Sequence, residues 1–323
     1  MIPFRSSDAE RWDAFVPETA QGVFLHTRRF ISYHRDRFRD MSLLFEDDDG
    51  RLRAVLPAAQ SVEDPALVIS HPGITFGGLL HDPKCTPEEI QNYFTATADH
   101  FRAAGLKRLL CRMVPAHVQR RPVALDQHAI WLFGGKLVRR DLWNVLDLTR
   151  ERTVSSGHKY RIKQARKNGV VCFRGKPEHY AAFHALLTGN LQKRFGVSPV
   201  HTVSELLTIQ KLFPSDIDLW IASDANNDIL AGVWVFRHTA FVWHTQYIAA
   251  AEAGKEKSAN HSLLDMIIQE ASTQGVRYFS FGASTEASGQ AVNSGLFAFK
   301  SGFGAGSVTQ DFFELELREG LRT

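Results

Sequence analysis

Chemistry in this chain concentrates in polar residues set among apolar strands and glycine-rich turns. The segment Phe241–Ala250, FVWHTQYIAA, alternates as a strand does, with His244, Gln246 and Ile248 on one face and Trp243, Thr245 and Tyr247 on the other. An imidazole on a central strand needs a buried partner or a ligand. It can take a proton near neutral pH, so His244 is a candidate general base, with Gln246 and Tyr247 as substrate contacts. A second segment, Phe281–Gly306, interleaves six glycines with Ser284, Thr285, Glu286, Asn293 and Lys300. A strand end leading into a polar, glycine-rich loop is a usual place for a ligand. Glu286 is a second candidate base or an anchor for an amine, and Lys300 a cation to steady an oxyanion or a phosphate. Ser284, Thr285 and Asn293 are expected to bind substrate.

Three further segments carry positive charge toward an anionic ligand. In Arg194–Leu206, Arg194 and His201 are candidate anion contacts, and Thr202 or Ser204 a helix cap. In Ala253–Leu264, Gly254, Lys255, Lys257 and Ser258 stand just before an amphipathic helix, where free backbone amides favour the phosphates of a cofactor. In His158–Gly169, Lys159, Lys163, Arg166 and Lys167 share one broad helical face, suited to phosphates or to plain solvation. His71–Leu80, HPGITFGGLL, reads either as a wall where backbone amides meet a ligand or as a tight turn at a sheet edge. No phosphate-binding P-loop, G-x-S-x-G elbow or H-E-x-x-H helix occurs, and the three cysteines form no metal-binding pattern, so no metal is expected.

The elements that must position these residues repeat. Residues 41–60 read as two strands about an acidic turn at Gly50, and residues 217–236 read the same way about Asn226–Asn227–Asp228. More strand sequence follows each hairpin, then an amphipathic helix, at about Pro87–Ala104 and Ala259–Gln274. Each helix is stopped by a glycine, Gly105 or Gly275, and succeeded by a strand. Leu263, Leu264, Ile267, Ile268 and Ala271 give the second helix its apolar stripe. Further helices are expected from Ser155 or Ser156 to Lys167 and from about Pro177 to Phe195. The pattern predicts a mixed α+β chain of two similar domains, 1–150 and 151–323, each a mostly antiparallel mixed sheet flanked by helices, with most of the site in the second.

The 323 residues, 44% hydrophobic with 23 Phe and 6 Trp, suffice for two cores. A net charge of +3 is too small to call for DNA but suits an anionic small molecule. Three scattered cysteines fit a reducing compartment, and neither a signal sequence nor a long apolar run is seen. A cytoplasmic protein with at most peripheral membrane contact is expected.

Together the segments resemble a known group. FKSGFGA, Phe299–Ala305, is similar to the F-K-x-x-F-G element of FemAB-type peptidoglycan aminoacyltransferases, and HKYRIKQARKNGV to their basic helix. SHPGITFGGLL, PVHTVSEL, HTQYIAA, FGASTE and the N-x-G-L…K-x-G-F-G-A run resemble, in order from about Trp12 to Phe313, the acetyltransferase-6-like proteins of bacterial polysaccharide clusters. The resemblance implies two fused GNAT-like domains and an important lysine at position 300. It implies an N-acyltransferase that moves an acyl group from a thioester, acyl-CoA, to an amine or hydroxyl of a nucleotide-linked or lipid-linked sugar precursor of the cell envelope. Two alternatives stay open: an aminoacyl-tRNA donor, with a peptidoglycan-like acceptor, and a degenerate GNAT module that binds without catalysis. The R/Q-x-x-G-x-G/A loop of ordinary GNAT enzymes is missing before Ala259, and the coiled-coil insertion of some FemAB-type enzymes is missing as well.

Overall fold

A computed structural model describes residues 1–319. The chain forms two compact units, one made of Met1–Leu142, Ala287–Ala291 and the described residues from Val308, the other of Trp143–Glu286 and Val292–Ser307.

In the first unit the expected hairpin is Leu43–Glu46 with Leu52–Leu56, antiparallel about the acidic turn and extended by Ile2–Pro3 and Leu80–His81. A second set of strands runs Ala59–Gln60, Leu67–Ile69, Arg108–Arg112 and Gly306–Glu316, the middle pair parallel and the others antiparallel. The helix Pro87–Ala103 opens with a capping box between Thr86 and Glu89 and has proline in its first turn. Ile90, Phe94, Ala98 and Phe101, at helical spacing, lie buried with Phe45, Val68 and Leu109.

The second unit is a meander: Val171–Arg174, Ile217–Ser223, Ile229–Thr239 and Val242–Ala250 pair antiparallel in sequence. Helix Ala259–Thr273 then carries the chain to Tyr278–Ala283, which lies parallel to Val242–Ala250 and antiparallel to the last residues of Lys136–Asp147. The five stripe residues of this helix are all buried against the sheet. Each Leu or Ile there contributes about 1.5–3 kcal/mol by burial, and a single Leu264→Asp would leave an unpaired charge in that core. The longer helices of this unit also include Ser156–Lys167, Tyr180–Phe195 after a 3-10 turn at Pro177–His179, Val203–Leu212 and Ser294–Ser301. Ser155 caps the first and Thr202 the third, the latter with Glu205 in a capping box.

Two expectations need correction. The strand Val242–Ala250 does not alternate throughout: Val235 pairs with Thr245 and Trp234 with Tyr247, so a bulge falls at Gln246. An extra residue in one strand reverses the phase beyond it. His244 therefore shares a face with Tyr247, while Trp243 and Ile248 both turn to the helix side. The glycine-rich segment is also not one loop. Asn293 caps a helix over Ser294–Ser301, because its Oδ1 accepts the Leu296 N–H at 2.9 Å and Phe297 and Lys300 continue the turn.

Candidate functional site

The second unit contains a place where two neighbouring strands part. Val242–Ala250 and Tyr278–Ala283 pair only through Val242, Trp243 and His244 with Tyr278, Phe279 and Ser280. Beyond His244–Ser280 the first strand continues through the Gln246 bulge, while the second stays paired with Lys136–Asp147, at Asn144 and Trp143. The register slips again there, between Ser280 and Gly282, and Gly282 takes φ +73°. A left-handed residue is cheap only for glycine. A Cβ at this position would also lie 3.1 Å from the His244 ring.

The turn at Gly282 presents two carbonyls to one side chain. Lys300 Nζ donates to the Gly282 carbonyl at 3.0 Å and to the Ala283 carbonyl at 2.6 Å. Lys300 is 3% exposed. Burial, which disfavours the charged ammonium, and secondarily the nearby Arg194 push its pKa down to about 7. A lysine that gains and loses its proton near neutrality, held at a fixed point, is a functional candidate on physical grounds. Its helix is seated from below: the His158 imidazole Nε2 donates to the Phe299 carbonyl at 2.9 Å, and the His158 and His261 rings pack on Phe299 and Phe303. Burial lowers the pKa of both histidines, that of His261 to about 4.

His244 is 4% exposed, lying between the Trp143 and His238 rings at the closed end of the opening. Its Nδ1 and the Ser280 hydroxyl are 3.1 Å apart. Gly282 stands between it and Lys300, accepting from the lysine and abutting the imidazole. Glu286 is exposed; its carboxylate accepts from Asn293 Nδ2 at 2.5 Å and stands 3.7 Å from the Arg194 guanidinium. Ser284 is fully buried and donates to Asn144 Oδ1 at 2.6 Å; Thr285 begins the short strand Thr285–Glu286. Tyr247 and His201 share a 2.7 Å hydrogen bond, and burial raises the pKa of the Tyr247 phenol. Gln246, at the bulge, keeps a buried Oε1 with no hydrogen-bond partner.

The residues expected to cradle a cofactor's phosphates have protein partners instead. Gly254 lies in a short helix, Glu252–Glu256, with its α-carbon hard against the Leu230 carbonyl. Lys255 Nζ pairs with Glu252 at 3.0 Å and Lys257 Nζ with Asp224 at 2.9 Å. Ser258 is buried at φ +59° and makes no cap bond to the helix it precedes. Lys159, Lys163 and Lys167, by contrast, are exposed with no ion pair among the described residues, whereas Arg166 reaches Asp265 at 3.4 Å. Among the described residues no group of His, Cys, Asp and Glu could hold a metal ion, and no helix is long and apolar enough to cross a membrane.

Asn144 is the residue that sequence reasoning passed over. Its only signal is an amide inside the apolar run LWNVL, in a strand that otherwise reads as core.

No protein-family model matches the sequence, and neither does any curated protein. Among solved structures, FemX aligns with a TM-score of 0.70 at 12% identity, covering 98% of this chain and 97% of that one. L-PGS from Bacillus licheniformis gives 0.62 at 14% identity, covering 97% and 93%. A tandem GNAT protein from the clavulanic acid biosynthesis pathway gives 0.55 at 11% identity, covering 99% and 98%. At such identities the likeness is one of fold. The fold is a tandem GNAT arrangement, mixed α and β, with sheets flanked by helices.

Proposed function

We propose that the protein transfers an acyl group from an activated donor to an amine or hydroxyl of a phosphate-bearing acceptor, a nucleotide-linked or lipid-linked sugar of the cell envelope, at the opening beside Lys300. The single observation that carries this reading is the clamped, buried Lys300 amine, whose pKa of about 7 lies at working pH. When neutral, the amine has two hydrogens and one lone pair. Both hydrogens are taken by the Gly282 and Ala283 carbonyls, so the lone pair points away from both. An acceptor amine attacks the acyl carbon; the nitrogen gives its extra proton to the Lys300 lone pair; the carbon–sulfur bond breaks, and the lysine returns the proton to the departing thiolate. Amide and free thiol are the products. Lys300 serves here in place of His244 or Glu286, since the imidazole is paired with the Ser280 hydroxyl and stacked between Trp143 and His238, and the carboxylate is tied to Asn293 and close to Arg194. Arg194, exposed and near Lys300, supplies positive charge for the acceptor's phosphate.

The donor in this reading is an acyl-CoA thioester; the tandem GNAT neighbour, a structure described as without AcCoA, supports that choice. A second reading, an aminoacyl-tRNA donor, is favoured by the exposed cationic row Lys159, Lys163 and Lys167, by the engagement of Lys255 and Lys257 elsewhere, and by a structural neighbour whose description names lysylphosphatidylglycerol synthetase. The test is thermal-shift titration with acetyl-CoA, longer acyl-CoAs, UDP- and dTDP-amino sugars and a charged tRNA, followed by thiol release from any donor that stabilises the fold. Stabilisation by an acyl-CoA with thiol release upon adding an amino sugar supports the first reading. Stabilisation by charged tRNA alone supports the second, and silence across all of them refutes both.

A further inference from the structure

Asn144 belongs to the strand Lys136–Asp147 and is fully buried, in a row with Trp143, Val145 and Leu146. An amide in such a row must find partners within the protein. Its Oδ1 accepts from the Ser284 hydroxyl at 2.6 Å, and its Nδ2 donates to the Ser301 hydroxyl at 3.3 Å. Neither partner is incidental to Lys300. Ser284 follows directly on Gly282 and Ala283, whose carbonyls receive the lysine; Ser301 is the residue after the lysine. Asn144 is also the cross-strand partner of Gly282, at the place where the register slips. One side chain thus touches the strand end that supplies the acceptors and the helix that supplies the donor.

We propose that Asn144 is a positioning residue: it ties the Gly282–Ser284 turn to the Ser294–Ser301 helix through Ser284 and Ser301, and so fixes the Lys300 amine against its two carbonyls. The role bears on catalysis by way of the transfer reading above, but the geometry stands apart from it. Without the tie, the turn and the helix are free to separate, water reaches the amine, and its charged form becomes cheaper. Other charged and titratable groups face this lysine. Arg194 comes from helix Tyr180–Phe195 with Glu286 beside it; His158 and His261 lie beneath the Phe299–Phe303 turn; His244 lies beyond Gly282. The Ser284 and Ser301 hydroxyls are both bonded to the Asn144 amide, so removing them acts first on that tie.

The test reads Lys300 itself in the full chain. Acetic anhydride is applied across pH 5–11, and modification of Lys300 is followed by mass spectrometry relative to the exposed Lys163. Wild type should show a Lys300 midpoint near pH 7. Asn144→Ser, and separately Ser284→Ala with Ser301→Ala, should move that midpoint up by at least one pH unit while the melting transition stays cooperative. Cooperatively folded variants with the wild-type midpoint would overturn the proposal, as would a wild-type Lys300 that titrates together with Lys163. If Asn144→Ser does not fold, the paired serine variant decides, because it keeps Asn144 and removes only two hydroxyls. An upward shift in a protein that transfers no acyl group would keep the positioning role and refute the transfer reading alone.

Discussion

The carbonyl of Gly282 and the amine of Lys300, 3.0 Å apart, join the end of a strand to the end of a helix. The strand end reaches that position through a residue at φ +73°. Alanine at 282 would be strained by about 1–2 kcal/mol and would press on the His244 ring. Gly282→Ala should therefore lower stability by that amount or more in a denaturant melt, and should move the Lys300 titration midpoint. Wild-type stability in this variant would show that the turn is not conformationally demanding.

Lys300 also ties stability to pH. Its folded pKa, about 7, lies below its ordinary value of 10.5. Between those values the unfolded chain holds the extra proton, so wild-type stability rises with pH across pH 7–10.5 and gains nothing from this group below pH 7. Lys300→Met removes the buried amine. Its stability advantage over wild type should be greatest below pH 7 and shrink by about 1.4 kcal/mol per pH unit through that window. Urea melts at pH 6, 8 and 10 give the comparison; an advantage that is constant with pH would contradict the buried-lysine account.

Transfer itself should depend on the same side chain. With a donor and acceptor identified by thermal shift, Lys300→Ala should lower kcat by about 10²–10⁴, the usual worth of a positioned proton-transfer group. Wild-type kcat/KM should rise with pH to a midpoint near 7, as the lysine loses its proton. A Lys300→Ala enzyme with ordinary kcat would assign the proton transfer to another group.

Acid should unfold the first unit early. Burial holds His26 at a pKa of about 4 and His71 and His117 at about 3, so each must stay neutral in the fold while the unfolded chain takes up protons below pH 6.5. Asp126, pushed up to about 7 by burial, works in the opposite direction over pH 4–7. The net difference is about two protons near pH 5, which costs roughly 3 kcal/mol per pH unit. Calorimetry between pH 7 and 4.5 should show a steep fall in the melting temperature. A flat profile would mean that these histidines are protonated in the fold.

The row Lys159, Lys163 and Lys167 gives the donor question a physical handle. If charged tRNA binds, each phosphate contact contributes about one unit to the slope of log affinity against log salt. Replacing all three with Gln should lower that slope by about two to three and weaken binding, with no change in acyl-CoA affinity. An unchanged slope would show that the row is merely solvated.

The hairpins and the two long helices were legible because apolar spacing, Asx turns and terminal glycines all act locally. The bulge at Gln246 was not: a one-residue slip depends on how Trp234 and Tyr247 stack across the strands, which no alternation in a single strand records. Lys300 was legible as a position from the polar, glycine-rich segment and again by resemblance, but its burial was not, since a lysine within SGLFAFKSG reads as exposed. Asn293 was singled out for a ligand and is the helix cap, because its partner, the Leu296 N–H, exists only once the segment is helical. Lys255 and Lys257 were read as contacts for a cofactor's phosphates, while Glu252, three residues before Lys255 in the same short helix, and Asp224, at the distant hairpin, pair with them.

The order in which the chain visits its two units bears on how it is made. Strand Gly306–Glu316 pairs with Arg108–Arg112, and its residues from Val308 belong to the first unit. During synthesis that unit cannot close its strand pairing when residue 142 emerges; Arg108–Arg112 waits with one edge bare until residue 316 has left the ribosome. An unpaired strand edge invites pairing with other chains. The nascent protein is therefore exposed to misassembly for the whole time that the second unit is being translated, and a circular permutant that begins near residue 306 should remove that interval.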